Sequence, residues 1–344
     1  MSSFDFLVVG LGHQSLDDHI PAIQSSDDVH LAGVVDTDIE KAARVGKALA
    51  VPFAKSISEF LKENPKPTAA LVAIPHVGYL EAVCELAEAG IHILKEKPLA
   101  VSLKEALQMK AVVEANNVLL SLTLQRRYNP VFQSFPQLLR RIGRIFSIEA
   151  KYALNISRLD CGWRASRLYS GGGALIDLGY HYVDLIVWYF GLPDLITCRT
   201  SMRNRVGQEY DVEDTAFVNF SYCENNPGEE VLGSLIVSRV YGEKDEHLVA
   251  HGTKGMACVR RGKIARHDID GTTVESMERF GAWPSALADQ IEDFAKFAMD
   301  NIGDYDFGMH YLEQVAFVDA AYESARTGLT VNPRELLGRS LNAN

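Results

Sequence analysis

Cysteine is scarce and scattered in this chain. Cys84, Cys161, Cys198, Cys223 and Cys258 are odd in number and none forms a C-x-x-C pair, which excludes a disulfide framework and the common thiolate zinc sites, so no metal is expected. Long apolar runs are missing too. No stretch approaches the roughly 20 residues that a membrane-spanning helix requires, and the opening MSSFDFLVVG has no basic segment ahead of its apolar residues. A cytoplasmic protein with no membrane partner is therefore expected. Basic charge is in deficit: 34 Lys and Arg stand against 45 Asp and Glu, a net charge of -11, which argues against nucleic acid and against an anionic lipid surface as partners. Internal repeats and low-complexity tracts are absent. What remains is a globular composition, 47% hydrophobic and 23% charged over 344 residues, long enough for two domains that each bury a core and leave a cleft between them.

The first 123 residues alternate between two patterns. Phe4 to Val9 is a short apolar run followed at once by Gly10-Leu11-Gly12 and a polar stretch; 30–35 is a second run, and 38–50 carries apolar residues at helical spacing. Further strands fit 69–74, 91–94 and 118–123, with helices at 79–89 and 102–116. Ser56-x-x-Glu59 and Ser102-x-x-Glu105 match the box in which a hydroxyl and a carboxylate satisfy the free amides of a helix start. Strands alternating with helices indicate a doubly wound parallel sheet, a Rossmann-like domain over 1–123.

Its ligand follows from the first turn. Gly10 and Gly12 let the backbone approach a pyrophosphate, and His13 and Gln14 enter the helix whose free N–H groups face it. Ser15 replaces the usual third glycine, so the motif alone is also compatible with a plain strand-to-helix turn. Asp36, 24 residues after Gly12 at the end of the second strand, sits where a carboxylate accepts hydrogen bonds from a ribose. Asp36-Thr37-Asp38 offers two carboxylates and no Arg where a 2′-phosphate would lie, so NAD is expected and NADP disfavoured.

Two other stretches carry chemistry. Glu96-Lys97-Pro98 follows the fifth strand at its carboxyl edge, where open α/β sheets bind ligands; an ordinary solvated lysine is the alternative. In 171-GGGALIDLGYHYVDL-185, Asp177 and His181 are four residues apart, one face of a helix if the run is helical. On its own the pair is equally an aspartate orienting a core histidine.

Gly10-x-Gly12, Glu96-Lys97-Pro98, 125-QRRYNP-130, Trp163-Arg164 and the 171–185 segment, in this order and at these separations, resemble the glucose-fructose oxidoreductase and inositol dehydrogenase (Gfo/Idh/MocA) family. The resemblance implies a Rossmann domain followed by an α/β domain with an open, mostly antiparallel sheet, placed here at 124–344 and including a C-terminal helix that can pack back on the first domain. It also implies NAD(P)-dependent redox chemistry at a secondary alcohol, and homodimers or homotetramers. The family's catalytic lysine falls on Lys97, and its aspartate and histidine on Asp177 and His181. Hydride leaves a carbinol carbon only as the hydroxyl proton is removed, so His181 is expected as base, Lys97 as the donor holding the oxygen, and Asp177 as the group orienting the imidazole; Asp184 is the alternative for that last role. Pro75, His76, Glu96 and Lys97 join the cofactor set, although 73-AIPHVGY-79 departs from the family's Asn-His pattern. Arg126, Arg127, Tyr128, Trp163 and Arg164 fall where the family lines its substrate cleft.

Beyond 143, strand-like segments at 143–156, 195–206, 214–222 and 231–240 are broken by 224–229 and 241–246, an antiparallel meander; 252-GTKG-255 reads as a turn and 285–301 and 310–327 as helices. The chain is expected to be an NAD-dependent dehydrogenase acting on a polyol, sugar, sugar derivative or cyclitol. A non-catalytic NAD-sensing regulator is the rival, and a dihydrodiol dehydrogenase-like enzyme is the other enzymatic alternative.

Overall fold

In the computed structural model the described residues are 4–223, 228–278, 282–300 and 308–342. The chain divides into two compact units, one made of 1–100, 105–128 and 281–308, the other of 101–104, 129–280 and 309–344.

The first unit is an α/β fold on six parallel strands: β1 (Phe4–Val9), β2 (Val29–Val35), β3 (Phe53–Ala54), β4 (Ala69–Val72), β5 (His92–Lys95) and β6 (Leu120–Leu122), in the order β3-β2-β1-β4-β5-β6. Parallel strands are covered on both faces and so read as continuous apolar runs, which is why FDFLVV and AALV stand out in the sequence; β1 and β4 are buried almost throughout. The order reverses between β1 and β4, so the crevice beyond their carboxyl ends is the place where such sheets bind ligands. Helix Ile39–Leu49 is capped by Asp38, which accepts from the Lys41 amide at 3.1 Å, and helix Ile57–Glu63 by Ser56, which accepts from Glu59 N at 3.2 Å. The core of this unit is completed by a segment distant in sequence. Helix Ala282–Asp300 lays Leu287, Ile291, Phe294, Ala295 and Ala298 into the cluster around Phe4, Phe6, Val8 and Ile23, and the Phe294 ring lies 6.3 and 5.8 Å from those of Phe4 and Phe6.

The second unit carries an eight-stranded sheet of β7 (Ile145–Asn155), β8 (Leu195–Ser201), β9 (Thr215–Tyr222), β10 (Val231–Ser238), β11 (Val240–Gly252), β12 (Gly255–Arg260), β13 (Lys263–Asp268) and β14 (Thr273–Glu278), ordered β14-β13-β12-β11-β7-β10-β9-β8. Every pair is antiparallel except β10 with β7. Helices Tyr180–Phe190 and Met309–Thr327 are buried in this unit, and Ile196, Cys198, Val218, Phe220, Leu235 and Val237 are buried in the strands. The register places Leu195, Phe217 and Leu232 together on the opposite face, where all three are exposed.

One expectation needs correction here. The segment 241–246 does not break the meander: β11 runs through it, with an irregularity between Val240 and Asp245 absorbing the extra residues. The helix expected to follow Ser102 begins at Leu103, and the Leu103 amide donates to Asp319, a residue from far along the chain, at 2.8 Å. The proposed break at 224–229 falls mostly outside the described residues, as does residue 301 of the second-last expected helix.

Candidate active site

The glycine turn is built by contacts on both sides. Gly10 donates to Val35 O at 2.8 Å, and with φ at +90° a side chain there would be strained; a Cβ would also lie 2.3 Å from the carbonyl oxygen of Ala73. At Gly12 a Cβ would meet nothing within 4 Å. The turn is thus closed toward β4 and open at Gly12, the geometry a pyrophosphate needs. Ser15, fully buried, takes the third glycine's place and donates its hydroxyl to Gly10 O at 2.6 Å. The chain does not enter a regular α-helix there. Ser15–His19 is a π-turn that leads into Ile20–Gln24, and such one-residue expansions recur at functional sites. His13 and Gln14 lie exposed just ahead of it, His13 3.7 Å from Asp17 and Gln14 donating to Asp18 at 2.6 Å.

Asp36 closes the same turn from β2. One carboxylate oxygen accepts from Leu11 N at 2.8 Å and from the Lys41 ammonium at 2.9 Å; the other accepts from Asp38 N at 3.0 Å. Burial would raise its pKa, but the Lys41 and backbone hydrogen bonds outweigh that and hold it below the ordinary carboxylate value. Lys41 had no counterpart in the sequence reading, because its approach to Asp36 depends on the first turn of the helix that Asp38 caps.

The carboxyl edge of β5 is denser in charge. Lys95 is fully buried, and Glu96 and Lys97 are each 9% exposed. Glu96 accepts from His19 Nε2 at 2.9 Å. Burial works to raise its pKa; the His19 hydrogen bond and charge, the Lys97 charge and the Thr123 hydroxyl reverse that and bring it to about 2. Glu96 is therefore the anionic neighbour of Lys97, tied to the π-turn after the glycines. Its ionised form stabilises the fold above its unfolded value of 4.5, and that contribution is lost as pH falls toward 2. The Lys97-Pro98 peptide is cis. Pro75, three residues beyond β4, precedes the 3-10 turn His76–Gly78, and His76 is 2% exposed with its ring stacked on Tyr79 at 5.6 Å.

In the second unit the glycine run is explained by what lies against it. A Cβ on Gly173 would sit 1.9 Å from the backbone oxygen of Glu213. The buried Glu213 carboxylate accepts from Gly173 N at 2.9 Å, from Leu175 N at 3.0 Å and from the Tyr322 hydroxyl at 2.8 Å, an anion placed on the unpaired amides of a helix start. Those amides open a second π-turn, Leu175–Gly179, continuing into Tyr180–Phe190. Asp177 lies within that turn, buried, with Oδ2 accepting from Arg239 Nη2 at 2.9 Å and pairing with Arg164 Nε at 3.3 Å. His181 is half-buried, edge-on to Tyr152 at 6.2 Å. Asp184 is buried and accepts from Gln314 at 2.8 Å. Both candidate orienting carboxylates are thus anchored by residues from other elements.

Of the expected substrate residues, Arg126 is buried in the 3-10 turn Gln125–Tyr128 and Tyr128 donates its hydroxyl to Asp293 at 2.8 Å, both in the first unit. Arg127 donates its amide to Leu124 O at 2.9 Å in the same turn. In the second unit the Arg164 guanidinium lies 4.2 Å over the Trp163 ring, so one face of that ring is already covered. Arg239, Glu213, His19 and Lys95 were invisible to the sequence reading; each acquires its role from partners 62, 40, 77 and, for Lys95, only one to four residues away. Among the described residues no group of three or more His, Cys, Asp or Glu could hold a metal ion, and no helix is long and apolar enough to cross a membrane.

Comparison with known proteins agrees with the fold of both units. Residues 4–124 match the profile of an oxidoreductase family with an NAD-binding Rossmann fold (GFO_IDH_MocA), and residues 138–258 match the GFO/IDH/MocA C-terminal domain. An uncharacterized oxidoreductase, sll0816, of Synechocystis sp. is 26% identical over 69% of this chain and 66% of its own. A trans-1,2-dihydrobenzene-1,2-diol dehydrogenase of Mus musculus is 27% identical over 69% of this chain and 68% of its own. Among solved structures, the WlbA dehydrogenase of Bordetella pertussis in complex with NADH and UDP-GlcNAcA superposes with a TM-score of 0.79 at 22% identity, covering 96% of this chain and 99% of that one.

Proposed function

Because the chain belongs to the GFO/IDH/MocA oxidoreductase family, with that family's NAD-binding Rossmann fold in its first unit, we propose that it transfers hydride between NAD and a secondary alcohol, or the matching ketone, on a polyhydroxylated ring: a sugar, a sugar derivative or a cyclitol. The observation that carries the reading is Lys97, a nearly buried ammonium beside an ionised Glu96 at the carboxyl edge of the nucleotide-binding sheet. A protein that only sensed NAD would have no use for it.

Gly10, Gly12 and the amides after them would hold the pyrophosphate, and Asp36 the adenosine ribose. NAD supplies the hydride acceptor. Lys97 would donate a hydrogen bond to the carbinol oxygen and stabilise charge as it develops. His181 would take the hydroxyl proton, and Asp177 would support the imidazolium that results, its own position fixed by Arg239. Arg126, Tyr128, Trp163 and Arg164 would contact the remaining hydroxyls. The mouse relative acts on a ring diol, which keeps a dihydrodiol as the second substrate class. The open sheet face with Leu195, Phe217 and Leu232 suits a second copy of the chain, as in a homodimer or homotetramer; a species of 38.0 kDa throughout the micromolar range in sedimentation velocity would count against that.

The test is a panel of sugars, sugar acids, cyclitols and dihydrodiols followed at the nicotinamide absorbance. Turnover of a ring polyol is expected. Tight NAD binding without turnover of any of them would favour the regulator.

Cofactor choice gives a second test. NAD is expected to bind more tightly than NADP, since Asp36 would face the added phosphate at close range. Asp36→Ser should narrow or invert the gap, and the structure strengthens the effect: the substitution also releases Lys41 to meet the phosphate. Equal affinities of the unsubstituted protein in calorimetry would contradict the assignment.

A further inference from the structure

β5 ends at Lys95, and Glu96 N still donates to Val72 O at 2.8 Å. After that the chain leaves the sheet but stays inside: Glu96 and Lys97 are 9% exposed, Leu99 0% and Ala100 3%. Buried loop carbonyls need a group that donates to them, and the registered pairing of β5 with β4 and β6 ends at Lys95. Lys95 does. Its ammonium donates to the carbonyls of Glu96 at 2.8 Å, of Leu99 at 3.1 Å and of Pro98, three N–H groups for three acceptors. The Tyr79 ring lies beneath it, 3.5 Å from Nζ to the centroid, and the Tyr79 hydroxyl reaches the remaining carbonyl, that of Lys97, at 3.5 Å. Burial drives the Lys95 amine well below the ordinary lysine value, against the pull of Glu96 and Glu105.

Lys97 thus stands between two residues whose carbonyls are held by one buried ammonium. Resting on the reading of Lys97 given above, we propose that Lys95 is a positioning residue: its clamp on the carbonyls of 96, 98 and 99 sets where the Lys97 amine is presented. It touches neither substrate nor cofactor in this role.

The measurement is a double-mutant cycle of K95M, close in length but without donors, with K97A, using the substrate found in the panel. K95M alone is expected to lower kcat at least about tenfold with KM and NADH affinity within about twofold, and to change kcat less than about twofold in the K97A background, because a residue that acts through Lys97 has nothing left to act on. A merely structural lysine would cost the same factor in both backgrounds, and that outcome overturns the inference alone; normal turnover in K97A overturns the reading of Lys97 and the inference with it. A second readout needs no substrate. Pyridoxal phosphate labelling with borohydride reduction, followed by peptide mass spectrometry, should show Lys97 modified at least about fivefold faster in K95M, with other lysines within about twofold; an unchanged Lys97 rate contradicts the clamp. Where K95M fails to fold, Y79L, which removes the ring beneath the ammonium, is expected to give the same non-additivity and the same labelling change, and failure of both in Y79L overturns the proposal.

Discussion

K97A is expected to retain its fold and its NAD affinity while losing at least about a hundredfold in turnover, since groups that transfer protons or stabilise an oxyanion each contribute on that order. The structure sharpens the expectation. Lys97 lies between the residues that Lys95 and His19 hold, Glu96 by its side chain and carbonyl, Pro98 by its carbonyl, so removing its own side chain leaves the backbone anchored and the loss falls on chemistry. Melting temperature and NADH fluorescence titration check the first half, initial rates the second. Turnover within a few-fold of the parent would remove Lys97 from the mechanism.

Asp177→Asn is expected to fail on two counts. If Asp177 supports an imidazolium at His181, turnover should fall by orders of magnitude, as it should in His181→Asn, with NAD binding unaffected in both. The stability outcomes should differ between the two. Asp177 is the counter-ion of Arg239, whose side chain is only 3% exposed, and stripping the charge from one partner of a buried pair costs on the order of 3–5 kcal/mol. Arg239 keeps its bond to Gly173 O at 3.1 Å, so roughly 2–4 kcal/mol is the expected cost, enough to lower the melting temperature by about 5–15 °C in a unit of this size. His181, half-buried and packed on Tyr152, should cost much less. Activity and melting curves of the two variants together therefore separate the charge pair from the base: little rate loss in folded H181N would return His181 to a structural role, and an unchanged melting temperature in D177N would contradict the account of Arg239.

Legibility followed burial. β1, β4 and β5 were readable because strands covered on both faces are mostly apolar, with Asp5 the one break in β1 and His92 and Lys95 at the ends of β5, and the glycine turn with Asp36 because its spacing is local. β11 was misread across YGEKDE because a strand at an open sheet face tolerates charge; there Lys151 pairs with Asp245 at 2.8 Å across β7 and β11. β12, β13 and β14 escaped for the same reason: on that side GMACVR and KIARHD bury only Cys258 and Ala265, in the small cluster with Val249, and TVESME buries none of its residues. At the candidate site, residue types were legible and partners were not. Lys95 gave no signal of its own, since nothing in HILKEKPLA says that the loop carbonyls turn back toward it. Arg239 and Glu213 lie tens of residues from the segments they hold, and periodicity carries no information over that distance. The two π-turns, one at Ser15–His19 and one at Leu175–Gly179, have the composition of ordinary helix starts.

The helix Ala282–Asp300 that seals the first unit's core has a consequence for how the protein is made. Strands β1 to β6 leave the ribosome within the first 122 residues, yet Phe4 and Phe6 acquire Phe294 only after nearly the whole chain has been synthesised. At about 5–20 residues per second that is an interval of roughly 10–30 s, during which the nascent nucleotide-binding sheet exposes the apolar strip that Leu287, Ile291 and Phe294 later occupy. Vectorial folding is therefore inverted: the second unit's sheet is complete in the emerging chain before the first unit can close. A nascent chain stalled between residues 128 and 282 carries a sticky, unfinished amino-terminal half, the form in which a ribosome-associated chaperone would meet it.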